Sequence, residues 1–308
     1  MTIAYITHPD CLLHQMGEGH PEGSNRLNAI EDQLIATGIF DLLQHHEAPL
    51  ATVKQLERVH EPNYIKEVLS FEQKKQSTYL DPDTMVTPQT PKAALRAAGA
   101  LILATDLVLQ GKTRQAYCNV RPPGHHALFN QAMGFCFFNN VAVGVAHAIA
   151  KYNIKRIAIV DFDVHHGNGT EAIFTKEPRV MLCSTFQHPF YPFSGATSGN
   201  DRMINVPLAA GTSSNQYREA VLSKWLPALH KFKPELIFFS AGFDAHHEDH
   251  MAMLNLTDKD YSWITREILL IADKYAEGRV VSTLEGGYHL PSLARSVLNH
   301  LRILMRIE

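Results

Sequence analysis

Two kinds of apolar segment alternate along the chain from about residue 93 onward. Longer segments with helical periodicity predict helices over Ala93–Gln110 and Val141–Lys151. Short apolar runs that are rich in β-branched or aromatic residues predict buried strands: Gln115–Val120, Arg156–Asp163, Arg179–Thr185, Glu235–Ser240 and Arg279–Leu284. This alternation predicts a parallel sheet with helices on both of its faces.

No internal repeat, low-complexity tract or linker interrupts this pattern, so we expect a single domain over residues 1–308. The only long polar stretch is Ser70–Lys92, which contains Pro82, Pro88 and Pro91. We predict an extended loop there, and long loops inside compact domains are often functional.

The segments that follow four of the predicted strands are rich in Gly, His, Asp and Tyr. They read RPPGHHA from residue 121, VHHGNG from 164, AGFDAHHEDH from 241 and EGGYH from 285. Ligands of an open parallel sheet bind in the crevice at the carboxyl ends of the strands. We therefore expect these four segments to meet at one site.

The charge and cysteine content exclude several classes of protein. With 28 basic and 31 acidic residues the net charge is −3, which provides no general attraction to nucleic acid or to an anionic membrane. The four cysteines form no C-x-x-C pair, so neither a disulfide framework nor a thiolate zinc finger is expected. No secretory signal and no apolar run of ~18 residues occurs, which favours a cytoplasmic protein outside the membrane.

Histidine is over-represented, with 18 residues that include four adjacent pairs, at 45–46, 125–126, 165–166 and 246–247. Asp161, Asp163 and His165 alternate at the end of one predicted strand, and Asp244 follows another. Carboxylate and imidazole together are typical ligands of a divalent metal, and three such ligands leave a position open for catalysis. The alternative is that the two aspartates cap the following helix.

The adjacent His125 and His126 lie in a loop constrained by Pro and Gly, where both rings can approach one water molecule. One would accept a proton and the other would stabilise charge or protonate a leaving amine. Asp161 is a candidate to orient one ring and Asn168 the other. Tyr288 follows two glycines and is a candidate donor to a developing oxyanion, although Gly-Gly-Tyr is also an ordinary turn.

One motif indicates a different function, the binding of a dinucleotide. Gly167–Ala172 reads G-x-G-x-x-A between a strand and a helix, which is typical of a dinucleotide site. The next strand ends without an acidic residue to hold a ribose, and the aspartates near the turn would repel a pyrophosphate. Neither an H-E-x-x-H nor a G-x-S-x-G motif is present.

Taken together, these motifs resemble the zinc-dependent histone deacetylase family, in its class II-like and bacterial amidohydrolase branch. The matching segments are HPEGSNRL at 20–27, RPPGHHA, GFCFFNN at 134–140, DFDVHHGNGT, SAGFDAHHEDHMAMLNLT and LEGGYHL. They cover residues 20 to 290 in the family's order. The resemblance implies the arginase–deacetylase fold, a three-layer α/β/α sandwich around a mostly parallel sheet.

The resemblance also implies roles for particular residues. One catalytic zinc ion would be held by Asp163, His165 and Asp244. The acid–base pair would be His125 and His126, backed by Asp161 and Asn168 respectively, with Tyr288 as the donor to the amide oxygen. A narrow channel for an acyl-lysine side chain would be lined by Gly134, Phe135, Phe190, Tyr191 and Met251. A structural potassium ion would lie near Asp161, Asp163, His165, Ser184 and Thr185.

Several positions depart from relatives. Gly167 replaces the second aspartate of the D-x-H-x-D motif of arginases, which argues against a binuclear site. Phe186 stands where relatives often carry histidine, and we expect it to alter the channel rim. Met251 occupies a gatekeeper position at which glutamate would indicate a polyamine substrate. His246, His247 and His250 are expected to be solvated loop residues rather than ligands of a second metal.

The function implied by the resemblance is the zinc-dependent removal of acetyl or acyl groups from N-acetyl-lysine in proteins or peptides, by attack of a metal-activated water. An acetylpolyamine or another small acetylated amine is the alternative substrate. A catalytically idle acyl-lysine reader and a nucleotide-dependent oxidoreductase are further hypotheses. The sequence does not indicate the physiological substrate, the acyl-chain preference or the oligomeric state.

Overall fold

A central sheet of eight parallel strands dominates the structure, a computed structural model that describes residues 3–307. The strands of this sheet are β1 Ala4–Thr7, β2 Gln44–Glu47, β5 Gln115–Cys118, β6 Ile157–Asp161, β7 Val180–Gln187, β8 Met203–Leu208, β9 Leu236–Ala241 and β10 Val280–Leu284. Their spatial order is β2-β1-β5-β10-β9-β6-β7-β8. A separate antiparallel hairpin pairs β3 Thr78–Asp81 with β4 Thr84–Val86.

Helices cover the sheet in two groups. They are α1 Asn25–Ala36, α2 Val53–Leu56, α3 Pro62–Ser70, α4 Thr90–Leu109, α5 Asn140–Tyr152, α6 Asn168–Phe174, α7 Ser214–Ala220, α8 Leu226–Phe232, α9 Asp258–Tyr275 and α10 Leu290–Met305. The α4 helix packs against α5, whereas α10 packs against both α1 and α9. The three-layer sandwich expected from the sequence is confirmed.

Burial explains why the apolar runs became strands. Every residue of β5, β6, β7, β9 and β10 is buried, as the largely apolar sequences of these strands require when helices cover both faces of a sheet. Removal of each large apolar side chain from water contributes about 1.5–3 kcal/mol. Within residues 3–307, no helix is long and apolar enough to cross a membrane.

The predicted extended loop over Ser70–Lys92 is wrong in part. This segment contains the β3–β4 hairpin, and α4 already begins at Thr90. The hairpin strands have only four and three residues, too few for a hydropathy period to be recognised. The edge strand β2 escaped prediction because its sequence, QHHE, is polar and largely exposed.

The sheet order determines where the functional segments lie. Strands β5, β10, β9 and β6 are consecutive neighbours in the sheet, and they are the four strands followed by the Gly-, His- and Asp-rich segments. All of their pairings are parallel, so all four carboxyl ends lie at the same edge. The expected convergence of these segments follows directly from this order.

Candidate active site

Three buried side chains at this edge form a group suited to a metal ion: Asp163, His165 and Asp244. One ligand atom from each lies within 4.8 Å of the other two. Backbone N–H groups fix both carboxylates, since Asp163 Oδ2 accepts from Gly286 N at 2.8 Å and Asp244 Oδ1 accepts from Val164 N at 2.8 Å. The two acidic side chains are thus held in place by the turns after β6 and β10.

The arrangement of these side chains fits a divalent cation. His165 Nδ1 lies 3.0 Å from Asp163 Oδ1 and 3.2 Å from Asp244 Oδ2. Asp244 Oδ2 is buried and has no hydrogen-bond partner among residues 3–307. Gly286 leaves the space beside both carboxylates open, since a Cβ at that position would clash with each of them. Two carboxylate oxygens and one imidazole nitrogen are a ligand set that zinc accepts.

The charges in this group also favour the binding of a metal ion. Burial, and then the nearby charge of Asp163, raises the pKa of Asp244 to about 6. Burial would lower the pKa of His165, but the nearby carboxylates of Asp163 and Asp244 raise it to about 10. The imidazole therefore holds a proton between two carboxylates, at the place where a metal ion would displace that proton.

The two adjacent histidines have different partners. His125 Nδ1 lies 3.0 Å from Asp161 Oδ2, whereas His126 Nδ1 lies 2.7 Å from Asn168 Oδ1. The ring centroids are 4.0 Å apart. An amide oxygen can only accept a hydrogen bond, so the Asn168 contact places the proton of a neutral His126 on Nδ1 and leaves Nε2 free.

Their pKa values shift in opposite directions. Burial disfavours the charge on His125, but the carboxylates of Asp163 and Asp161 outweigh it and raise its pKa to about 10. Burial lowers the pKa of His126 well below its usual value, and the charges of His125 and His165 lower it further. The site thus pairs a charged imidazole with a neutral one, which is the arrangement that acid–base catalysis needs.

Glu285 has a part in the site that the sequence did not reveal. Its Oε2 accepts from Gly124 N at 2.7 Å and from His125 N at 3.2 Å, and its Oε1 accepts from Ser240 Oγ at 3.1 Å. Burial raises its pKa to about 7. This side chain fixes the backbone of the loop that carries both histidines. Its position directly after a strand is the only signal in the sequence.

A cavity of about 130 Å³ leads to these groups from the surface. Its walls include all five predicted channel residues together with His126, His165, Tyr288 and Asp83: the five are Gly134, Phe135, Phe190, Tyr191 and Met251. Burial raises the pKa of Tyr288 well above its usual value, so the phenol stays protonated. Tyr288 can therefore donate a hydrogen bond into the cavity.

The β3–β4 hairpin holds one wall of this channel. Gly134 and Phe135 have φ values of +57° and +68°, a left-handed conformation that is unfavourable for phenylalanine. Gly134 N donates to Asp83 Oδ1 at 3.2 Å, and Phe135 N donates to the buried Thr84 Oγ1 at 3.0 Å. The sequence does not reveal the role of Asp83 and Thr84, because the segment that contains them has the polar, proline-rich composition of a loop.

Two of the residues implied for potassium, Asp163 and His165, belong to the metal group itself, whereas Ser184 and Thr185 lie on the neighbouring strand β7. Asp161 is paired with Ser184 in the β6–β7 register, and Thr185 follows. All three are buried. The Ser184 hydroxyl lies 3.2 Å from His166 Nδ1, and His166 Nε2 lies 2.5 Å from Glu171 Oε2.

Two sequence-based expectations are wrong. Phe186 does not form part of the channel rim, since it is buried with its ring 4.6 Å from that of His166. His246 is not solvated: it is 1% exposed, although His247 and His250 are exposed. His246 Nδ1 accepts from Glu248 N at 3.1 Å, so Nε2 carries the proton and faces Asp258 at 3.5 Å. This tautomer is unsuited to binding a second metal through Nε2.

Comparison with known protein families shows which family the chain belongs to. The sequence profile described as the histone deacetylase domain matches residues 20–304. The chain belongs to the histone deacetylase family. This membership identifies it as a hydrolase of the deacetylase and amidohydrolase kind.

Individual members of the family match over almost the whole chain. A probable deacetylase of Archaeoglobus fulgidus is 37% identical over 94% of this chain and 82% of its own length. A histone deacetylase-like amidohydrolase of Pseudomonas aeruginosa is 36% identical over 92% of this chain and 77% of its own. The crystal structure of the HDA15 HD domain superposes with a TM-score of 0.92 at 31% identity, and covers 99% of this chain and 88% of that one. The fold is therefore that of the arginase–deacetylase group.

Proposed function

We propose that this histone deacetylase family member is a zinc-dependent amidohydrolase that removes acetyl groups from N-acetyl-lysine side chains, releasing acetate and the free amine. The observation that carries the proposal is the convergence at one cavity of the Asp163, His165 and Asp244 group with His126 and Tyr288. A metal-dependent hydrolase of linear amides needs a site for an electrophilic metal, a base and an oxyanion donor within reach of one carbonyl.

Asp163, His165 and Asp244 would hold the zinc ion, which when bound supplies a Lewis acid for the amide carbonyl and for water. His126 takes a proton at Nε2, because Asn168 keeps its other nitrogen protonated. The charged His125, paired with Asp161, stabilises negative charge and is the proton donor for the departing amine. The Tyr288 hydroxyl donates to the carbonyl oxygen as its charge develops.

The cavity supports an extended, largely apolar substrate arm. Phe135, Phe190 and Met251 line its walls and provide apolar contacts for the methylene groups of a lysine side chain. A potassium ion bound near Asp161 and Ser184 would stabilise the turn that carries the metal ligands. Acetylpolyamines and other small acetylated amines share the same reacting amide, and kinetics must separate them from acetyl-lysine.

The test is release of free amine from an acetyl-lysine peptide by the zinc-loaded protein. Removal of the metal by chelation, and the substitutions Asp163→Asn, Asp244→Asn and Tyr288→Phe, are each expected to reduce kcat/KM by at least about 100-fold. Asp273→Asn alters an exposed carboxylate of α9 and is the matched control. Full activity of the metal-free protein would refute the zinc mechanism.

The same assay identifies the substrate class. Values of kcat/KM are compared for acetyl-lysine peptide, longer acyl-lysine peptides and acetylputrescine. A preference for the peptide supports the proposal. A preference of about tenfold or more for acetylputrescine, equal to about 1.4 kcal/mol, would assign the protein to small amines instead.

A further inference from the structure

The backbone around Tyr288 is held from two opposite sides. On one side Arg26 donates to Gly287 O at 2.6 Å and to Glu285 O at 2.5 Å. On the other side Asp249 Oδ2 accepts from Tyr288 N at 2.6 Å and from His289 N at 3.1 Å. Gly287, with φ +116°, leaves this backbone free to turn where no contact restrains it.

The second oxygen of Asp249 holds another residue that lines the channel, Met251. Its Oδ1 accepts from Met251 N at 3.0 Å, and its own N–H donates to His246 O at 2.8 Å. The residue is 4% exposed and lies on the same loop as Asp244. One buried carboxylate therefore connects the loop of a metal-group residue, the channel residue Met251 and the backbone of Tyr288.

We propose that Asp249 is a positioning residue that sets the place of the Tyr288 hydroxyl in the cavity. The inference rests on the proposed function, because it assigns Asp249 to the donor that this function requires. The α10 helix begins at Leu290, so its N-terminal dipole also favours an anion here. A carboxylate that only stabilised this helix end would affect folding without any special effect on Tyr288.

A double-mutant cycle separates the two roles. Asparagine at position 249 has one acceptor oxygen, so Asp249→Asn leaves Tyr288 N or Met251 N opposite an amide NH₂. We expect kcat for an acetyl-lysine peptide to fall about 10- to 100-fold, as expected for a misplaced reacting group, with a smaller change in KM. In a Tyr288→Phe background the same substitution should lower kcat by no more than about threefold, because residues that act as a unit are not additive.

Two further measurements control for a general loss of structure. Ser292→Ala removes a buried hydroxyl that bonds to the His289 carbonyl and ring in the first turn of α10, without a bond to Tyr288. This variant should lower Tm while kcat stays within about twofold. Hydrogen exchange of the peptide that contains Tyr288, measured on metal-free protein, should rise in Asp249→Asn and not in Ser292→Ala.

The outcomes are distinct. Equal fold losses from Asp249→Asn in both backgrounds, or a wild-type kcat and unchanged exchange, would overturn the positioning role. A Tyr288→Phe variant with full kcat would refute the donor role in the proposed function, and the positioning role with it. If Asp249→Asn does not fold, Asp249→Glu is used in the same cycle, since it retains both oxygens and the charge but displaces them by one methylene group.

Discussion

Replacement of Glu22 by glutamine is expected to destabilise the fold by about 3–5 kcal/mol at pH 7, the usual loss when one partner of a buried ion pair is removed. The Glu22 side chain is fully buried. It receives hydrogen bonds from Arg121, one of them at 2.6 Å, and from Arg26 at 3.2 Å. Without the carboxylate, both guanidinium groups would remain in the interior with no negative partner among residues 3–307.

The pKa of Glu22 gives a second estimate of its contribution to the free energy of unfolding. Burial alone would raise this pKa, but the charge and hydrogen bonds of Arg121 lower it from 4.5 to about 2. A shift of this size corresponds to about 3 kcal/mol of stability. Because the folded pKa is the lower one, the contribution is complete above about pH 4.5 and disappears as the pH falls toward about 2.

Urea denaturation at a series of pH values measures this contribution. The wild-type protein and Glu22→Gln should differ by about 3–5 kcal/mol at pH 7, and the difference should shrink as the pH falls below 4.5. Glu67→Gln, at an exposed site on α3, should change stability by no more than about 0.5 kcal/mol. A Glu22 difference below about 1 kcal/mol at pH 7, or one independent of pH, would refute the reasoning.

Three further substitutions give separate tests. Asn168→Asp places a carboxylate behind His126 and should move the acid limb of kcat/KM against pH upward by about 1–3 units; an unmoved limb contradicts the role of Asn168. Arg202→Met removes a guanidinium that donates to three backbone carbonyls after α6, and urea denaturation should show a loss of about 1–3 kcal/mol. Thr84→Val leaves Phe135 N without an acceptor and should raise KM about tenfold for an acetyl-lysine peptide; an unchanged KM would show that the hairpin does not shape the channel.

Uniform hydrophobicity made the central strands predictable. Strands β5, β6, β9 and β10 are buried on both faces, so most of their residues are apolar. This pattern can be recognised in each segment without knowledge of its neighbours in the fold. The functional segments follow these strands directly, and the carboxyl ends of parallel strands lie at one edge, so the sequence alone predicts that these segments meet. The segment over Asp161–His165 was identified in this way.

Contacts with distant backbone could not be predicted from the sequence. Glu285 holds Gly124 and His125, which lie 161 and 160 residues away in sequence, and Asp249 holds Tyr288, 39 residues away. In each case the carboxylate accepts hydrogen bonds from main-chain N–H groups. Almost every residue type has such a group, so no sequence motif identifies the partner. The hairpin residues Asp83 and Thr84 were missed for the same reason, since they too bind the backbone of another loop.

The opposite pKa shifts of His125 and His126 arise from neighbouring charges, because both rings are almost equally buried. Asp163 and Asp161 raise the pKa of His125, whereas the charges of His125 and His165 add to burial and lower that of His126. Asp161 and Asn168 are the hydrogen-bond partners of the two rings. Both partners lie on the β6–α6 connection: Asp161 is the last residue of β6 and Asn168 is the first of α6. The same connection carries Asp163 and His165. A single loop of eight residues therefore sets the charge of each histidine and supplies most of the metal group. Displacement of this loop should consequently change metal affinity and the pH profile together, whereas displacement of the 121–126 loop alone should change the pH profile and leave the metal group intact.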